Sequence, residues 1–335
     1  MFFKKRSKSE KDLEQPKKVD LKRNARKEKR NPWGRSERLF VSVLFFGLAL
    51  VSGVLGGAAR SWKLPGLPRL SAPDLSFSET YVFDGTQMRD DNTNVALAEF
   101  QGKTKELSGV YGLYVKNLET GDSYGQFERE TFEAASFIKL PVMAAMLIEI
   151  EEGRLELAGN YRLKESDRVG GAGSLRYVEE GTVVTYARLI ELMGKESDNT
   201  AFVVARNILG DEKIKTVIGD LGMRNTSLEK NETTPVDIGR FFEKLWSGRI
   251  VQGKYKSLFM DSLTDTNFED HLAAGIPDGT AVVHKYGREV HVVNDAGIVM
   301  GEEPYVVVIM SKGVIEPEAD KVFPELSKII FDYQN

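Results

Sequence analysis

The chain has 335 residues, 41% apolar and 29% charged, the balance of a globular protein, which excludes a wholly disordered chain and a polytopic membrane protein. The absence of cysteine removes disulfide frameworks, thiolate metal centres, cysteine nucleophiles and lipid attachment through cysteine. With only three histidines, His271, His284 and His291, a multi-histidine metal centre is not expected, and neither is a cofactor.

The net charge of −4 conceals an asymmetry: residues 1–38 hold fifteen Lys/Arg against six Asp/Glu and carry +9, so the remaining 297 residues carry −4 − 9 = −13. The divider is Leu39 to Ala59, twenty-one residues without a charge. At about 1.5 Å rise per residue this stretch spans a hydrocarbon core of about 30 Å. The basic segment before it places the N-terminus in the cytoplasm by the positive-inside rule, and everything after Arg60 outside. A cleaved signal peptide is the alternative, because Gly57-Ala58-Ala59 ends the stretch in small residues. Signal peptides carry shorter apolar cores and shorter basic leaders, so a single uncleaved anchor is the expectation. A basic tail beside a membrane span serves topology and anionic lipid, and no nucleic-acid partner is expected. Residues 60–91, with Pro65, Pro68 and Pro73, read as a linker, and residues 92–335 as one folded domain and a monomer.

Within the domain, Val110 to Val115 and Ser123 to Glu128 flank the turn Glu119-Thr-Gly-Asp122 and predict a hairpin. Phe137 to Ile150 is almost wholly apolar and predicts a buried helix, too short to span a membrane. Thr185 to Met193, Thr200 to Leu209 and Asp237 to Trp246 predict further helices, the second stopped by Gly210. Val282 to Lys285, Val290 to Met300 and Tyr305 to Met310 predict three strands, and Glu318 to Asp332 a last helix. This order is α/β: one sheet assembled from both ends of the domain, with a helical section inserted between.

Three short motifs can carry chemistry. In Ser136-Phe137-Ile138-Lys139 the hydroxyl and the amine share one helix face. Pro141 lacks the N–H that would pair with the Phe137 carbonyl, so the helix starts near Ser136, where free N–H groups favour a developing oxyanion. Lys139 sits one turn into an apolar helix, and desolvation favours its neutral, proton-accepting form. A second copy, Ser227-Leu-Glu-Lys230, lies in a polar stretch and reads as surface. Ser197-Asp198-Asn199 follows one helix and precedes another, and is equally a helix cap. His284-Lys285-Tyr286-Gly287 ends a strand; the lysine there is either solvated or functional, and the glycine marks a bulge or a close approach.

In this order and spacing, Ser-x-x-Lys, Ser-Asp-Asn about sixty residues on, and Lys-x-Gly near the C-terminal strands resemble the motif set of the class A β-lactamases and related penicillin-recognising serine enzymes. Gly170-Gly-Ala-Gly-Ser-Leu175, Thr233-Thr-Pro235 and Asn294-Asp-Ala-Gly-Ile-Val299 extend the resemblance over most of residues 100–334. It implies a mainly antiparallel sheet flanked by helices, an α+β architecture, plus an all-helical lobe, with the site between them. It also implies a serine hydrolase acting on β-lactam amides through an acyl-serine. The rivals are a D-Ala-D-Ala peptidase acting on wall stem peptides and a penicillin-binding sensor without turnover. By the resemblance Ser136 is the nucleophile, Lys139 its base and Ser197 the proton carrier to the leaving nitrogen. Asn199 would bond the substrate amide and Lys285 its carboxylate, with the backbone N–H groups of Ser136 and Arg288, after Gly287, as oxyanion hole. Two departures stand out. Tyr286 replaces a small hydroxyl residue, and its phenol is expected to crowd the pocket. The stretch between Asn199 and Thr233 is about fifteen residues shorter than the resemblance leads one to expect, removing most of the Ω-loop. Glu232 is then the remaining candidate for the glutamate that holds the deacylating water, or else an exposed turn acid.

Overall fold

A computed structural model describes residues 91–334. The expected tail, apolar span and linker lie outside the described residues, apart from Asp91. Among the described residues no helix is long and apolar enough to cross a membrane. The domain opens on helix α1 (Asp91–Thr104), followed by strands β1 (Val110–Asn117), β2 (Ser123–Gln126) and β3 (Phe132–Glu133). A 3₁₀ turn (Ala135–Ile138) leads into α2 (Lys139–Glu151). Then come β4 (Asn160–Arg162), β5 (Val183–Thr185), α3 (Tyr186–Lys195), α4 (Asn199–Leu209), α5 (Asp211–Asp220), β6 (Glu232–Thr233), α6 (Pro235–Trp246) and α7 (Gly253–Ser262). The chain closes with β7 (Ala281–Glu289), β8 (Val292–Met300), β9 (Tyr305–Lys312) and α8 (Glu316–Gln334).

The main sheet runs β2-β1-β9-β8-β7, antiparallel throughout. The first strand of the domain thus pairs along its whole length with the last, from Val110 opposite Lys312 to Asn117 opposite Tyr305. The sheet is assembled from both ends of the domain, as expected, and β7 is left as an edge. Residues on the two faces of β1 enter different cores, since successive side chains point to opposite sides. Tyr111, Leu113 and Val115 meet α1 and α8 through Phe100, Phe323 and Ile330, whereas Tyr114 joins α6 and the helical lobe.

That lobe surrounds α2, whose residues from Leu140 to Leu147 are all fully buried. The continuous apolar run of the sequence is therefore a central helix wrapped by α3, α4, α5 and α7. Helix boundaries follow their caps. Thr185 accepts from Arg188 N–H, Asp198 from Ala201 N–H and Thr234 from Asp237 N–H, and Gly210 ends α4 with φ of 76°.

Phe241 of α6 is fully buried, with edge-on contacts to Phe242 at 5.6 Å and Phe259 at 5.8 Å. Phe241→Ala removes this junction between α6 and α7 and should cost about 3–5 kcal/mol of unfolding free energy, measured by chemical denaturation. A loss under about 1 kcal/mol would show that the lobe collapses around the cavity.

Candidate active site

Ser136 lies on the 3₁₀ turn, and α2 begins at Lys139, three residues later than the proline alone predicts. The turn is tightened by the Lys139 N–H, which donates to the Ser136 carbonyl oxygen. Ala135 just before it holds φ at 47°, a region costly for a residue with a side chain, and Ser197 holds φ at 53°. Both strained residues lie in or beside the motifs.

Lys139 Nζ lies 2.8 Å from Ser136 Oγ and 2.8 Å from Asn199 Oδ1, and Lys139 is only 4% exposed. Burial lowers its pKa from the ordinary lysine value to about 8, against the opposing pull of the Asp198 and Glu289 carboxylates. The first two motifs are thus joined by one amine. Asp198 has a separate duty: fully buried, it caps α4 and also accepts from Leu175 N–H at 2.7 Å. The cap reading of Ser197-Asp198-Asn199 holds for its middle residue alone. Asn199 Nδ2 donates to the Gly170 carbonyl oxygen at 2.9 Å, fixing the amide between Lys139 and the glycine-rich loop. Ser197 Oγ is buried and has no hydrogen-bond partner among the described residues, so its full donor and acceptor capacity is available to a ligand.

The third motif occupies the free edge of β7. His284 N–H donates outward, to Leu263 O at 2.7 Å. In an antiparallel strand every second residue points its N–H the same way, so Arg288 N–H also faces the open edge. Gly287 packs against the nucleophile turn: a Cβ there would stand 3.2 Å from Ser136 N and 3.3 Å from Ala135 Cβ. A side chain at 287 would press on this turn, so the strand and the nucleophile turn lie in close contact here. Lys285 is almost fully buried and donates to the Tyr286 carbonyl oxygen at 2.8 Å. Its pKa falls well below the ordinary value, first by burial and then by the charge of Lys139.

The surroundings of Tyr286 correct one expectation, and those of Glu232 favour one of its two readings. The Tyr286 ring does not crowd the pocket by the Ser136 hydroxyl. Strand alternation turns it to the α8 side, where it stacks on Phe268 with centroids 5.1 Å apart and accepts from Arg288 Nη1 at 3.2 Å. Glu232 is the turn acid. It sits opposite Glu133 in a two-residue ladder whose inward residues are Phe132 and Thr233. Both carboxylates line an outer groove of about 520 Å³ with Lys230 and Lys312, and neither Ser136 nor Lys139 lines that groove. The shortened loop closes on itself: Ser227 and Glu232 exchange backbone hydrogen bonds at 2.8 and 3.2 Å, which makes the second Ser-x-x-Lys a surface turn.

Sequence reasoning missed a network behind Lys285, buried at His284 and Asp295 and half exposed at Glu269. His284 Nδ1 faces Asp295 at 2.9 Å and its Nε2 faces Glu269 at 3.0 Å. Each carboxylate also accepts a backbone N–H, from Leu272 and Thr266 respectively. Burial opposes a charge on His284, but the two carboxylates more than offset it and lift its pKa to about 9. The imidazolium ties the 264–272 loop, which carries Phe268, to the catalytic strand. The sequence held a faint signal, since His284 and Asp295 fall within two of the quoted motifs; nothing marked Glu269.

A half-buried serine bonded to a buried lysine, a second, buried serine with no partner among the described residues, and a strand packed on the nucleophile turn make up an acyl-transfer site of the serine type. A family model described as "Beta-lactamase enzyme family" matches residues 96–334, and the chain belongs to that family. It is 22% identical over 277 residues to the β-lactamase SME-1 of Serratia marcescens, covering 76% of this chain and 94% of that protein. Among solved structures it is similar to PBP-A, with a TM-score of 0.68 and 26% identity over 72% of this chain and 95% of the other. The fold is also that of a β-lactamase from Sphaerobacter thermophilus, with a TM-score of 0.68 and 22% identity over 72% and 97% of the two chains. No group of residues suited to hold a metal ion occurs among the described residues.

A lysine that takes the serine proton must first be neutral, so with Lys139 in that role the rate of acylation should rise with pH through about 8 and level off above it. Glu289→Gln removes a carboxylate that favours the ammonium, so the midpoint should move to lower pH; it is read from the second-order labelling rate. A midpoint unchanged or moved upward contradicts the assignment.

Proposed function

We propose that this protein is a membrane-anchored, outward-facing serine acyl-enzyme that reacts with β-lactams at Ser136 and releases the product slowly. The observation that carries the reading is the 2.8 Å approach of a buried, low-pKa Lys139 amine to Ser136 Oγ. As Oγ attacks the lactam carbonyl, its proton passes to Lys139 Nζ, and the oxyanion forms between the Ser136 and Arg288 N–H groups. The ring C–N bond then breaks, and the nitrogen takes a proton through Ser197, while Lys285 attracts the carboxylate. Asn199, already bonded to Lys139, offers its outer face to the acyl side-chain amide.

Deacylation needs a water held against the ester by a fixed carboxylate. Glu232 faces the outer groove, and misplacing a catalytic group by about 1 Å costs on the order of a hundredfold. A leucine-to-glutamate variant of the similar PBP-A has been captured as its acyl-enzyme with penicillin G, which supports long-lived acylation as this chain's behaviour too. The same chemistry serves a D-Ala-D-Ala peptidase on wall peptides, the second reading, favoured by the missing water-holding carboxylate.

Incubation of the full chain with labelled penicillin, followed by intact mass, should show one adduct that persists, and peptide mapping should place it on Ser136. Ser136→Ala abolishes it, Lys139→Ala slows its formation by at least about a hundredfold, and Glu232→Gln leaves its decay unchanged. Rapid turnover without an adduct, or an adduct on Ser197 or Ser227, contradicts the proposal.

Membrane anchoring rests on the +9 segment before the twenty-one uncharged residues 39–59. A reporter fused after Asn335 should be active outside the cytoplasm, with the basic tail retained on the mature chain. Recovery of a soluble form starting near Arg60 would replace the anchor with a signal peptide.

A further inference from the structure

Among the described residues no side-chain hydrogen bond joins Ser197 to Lys285, although acyl transfer needs them at a fixed separation. Ser197 Oγ has no partner there, and Lys285 Nζ donates to the carbonyl oxygen of its neighbour Tyr286. The 264–272 loop is fastened to the segments that carry both. Asn267 N–H donates at 2.9 Å to the carbonyl oxygen of Lys195, the last residue of α3 and two before Ser197. Lys195 Nζ donates back to Thr264 O. On the other side, His284, which immediately precedes Lys285, donates its backbone N–H to Leu263 O at 2.7 Å. Its ring meets Thr266 Oγ1 at 3.3 Å as well as Glu269. Leu272 N–H donates at 3.0 Å to Asp295, the other partner of that ring. Phe268 lies 5.6 Å from Lys285 Nζ, so the loop also lays a ring beside the amine.

These ties converge on one atom. Glu269 Oε1 accepts from Thr266 N–H at 2.6 Å and from Thr266 Oγ1 at 2.8 Å, and it faces His284 Nε2 at 3.0 Å. The same oxygen thus closes the loop's own turn and holds the loop to the strand. The Glu269 side chain is 43% exposed, so its replacement does not open a core. We propose that Glu269 is a positioning residue for acyl transfer: acting through His284 and the 264–272 loop, it sets the separation of Ser197 and Lys285. The proposal rests on the acyl-transfer reading above. Without the carboxylate, the turn at Thr266 loses two bonds and the imidazolium loses one of its two counter-charges. Hydrogen bonds at Leu263, Thr266 and Leu272 still join loop and sheet, but the charged tie between them is gone. The loosened stretch includes Asn267, which is bonded to Lys195, so the loss passes to the segment before Ser197. Misplacing a catalytic group by about 1 Å costs on the order of a hundredfold in rate, which lets a remote carboxylate govern the chemical step.

Labelled penicillin at several concentrations, given to the full chain, separates the limiting rate of Ser136 acylation from the concentration that half-saturates it. Glu269→Ala should lower the limiting rate by at least about tenfold, move half-saturation by less than about threefold, and still reach one adduct per chain. A loss of folded protein alone would instead reduce the amount of adduct and leave the rate of the remaining molecules unchanged. Glu269→Gln keeps an acceptor oxygen and should bring the limiting rate back to within about threefold of the natural chain. Glu269→Ala combined with His284→Asn should be no slower than His284→Asn alone, because both act through one ring. A limiting rate in Glu269→Ala within about twofold of the natural one overturns the proposal, and so does a loss that multiplies in full with that of His284→Asn. The two levels are separable. Label formed equally fast on Ser136 in the natural chain and in Glu269→Ala sinks the positioning role alone. No label on Ser136 in the natural chain removes the acyl-transfer reading and the proposal with it.

Discussion

The site depends on a lysine held out of water. An ammonium ion buried in an apolar helix loses hydration that its neighbours must replace, and where they do so incompletely the proton leaves. Lys139 is in that position: behind it runs the fully buried stretch from Leu140 to Leu147, and before it lie Ser136 Oγ, Asn199 Oδ1 and the Phe202 ring. The packing that makes α2 the centre of the helical lobe therefore also lowers the pKa of its first residue, the property a base requires. Asp198 and Glu289 temper the effect, holding the amine near neutrality so that it takes a proton and gives it up again.

A second lysine sits close enough to share the same field. Lys285 is buried and feels Lys139 as a like charge, and both effects favour its neutral form. The strand carrying Lys285 is held from behind by the His284 imidazolium between Asp295 and Glu269. A buried cation paired on both ring nitrogens and anchored through backbone N–H groups is costly to break, which keeps the edge of β7 and the Phe268 loop in one arrangement.

What the sequence disclosed follows from how local each signal is. Ser136 and Lys139 are one helical turn apart, so their meeting was legible from spacing, as was the burial of α2 from its apolar run. Asp198 as a cap followed from residue type. The orientation of Tyr286 was not legible, because it depends on which face of β7 turns toward α8, a register fixed by pairing with β8. Which of the two readings of Glu232 holds was not legible for the same reason: a two-residue ladder with Glu133 sets its direction, and nothing within its own segment records that partner. Helix α1 went unpredicted because its stretch carries little periodicity; Ala96, Leu97 and Phe100 make it a helix only against α8 and the sheet. The Glu269–His284–Asp295 network joins a loop and two strands and has no local signature at all.

The most direct test of this account is titration of the Lys139 amine itself. Lysines labelled at the ε-carbon in the full chain, with Lys139→Arg to assign the resonance, report each amine separately by NMR. The account predicts that the Lys139 signal titrates with a midpoint near pH 8, well below the exposed lysines. A Lys139 midpoint at the ordinary lysine value, above about 10, would mean that burial does not create the base and would contradict it.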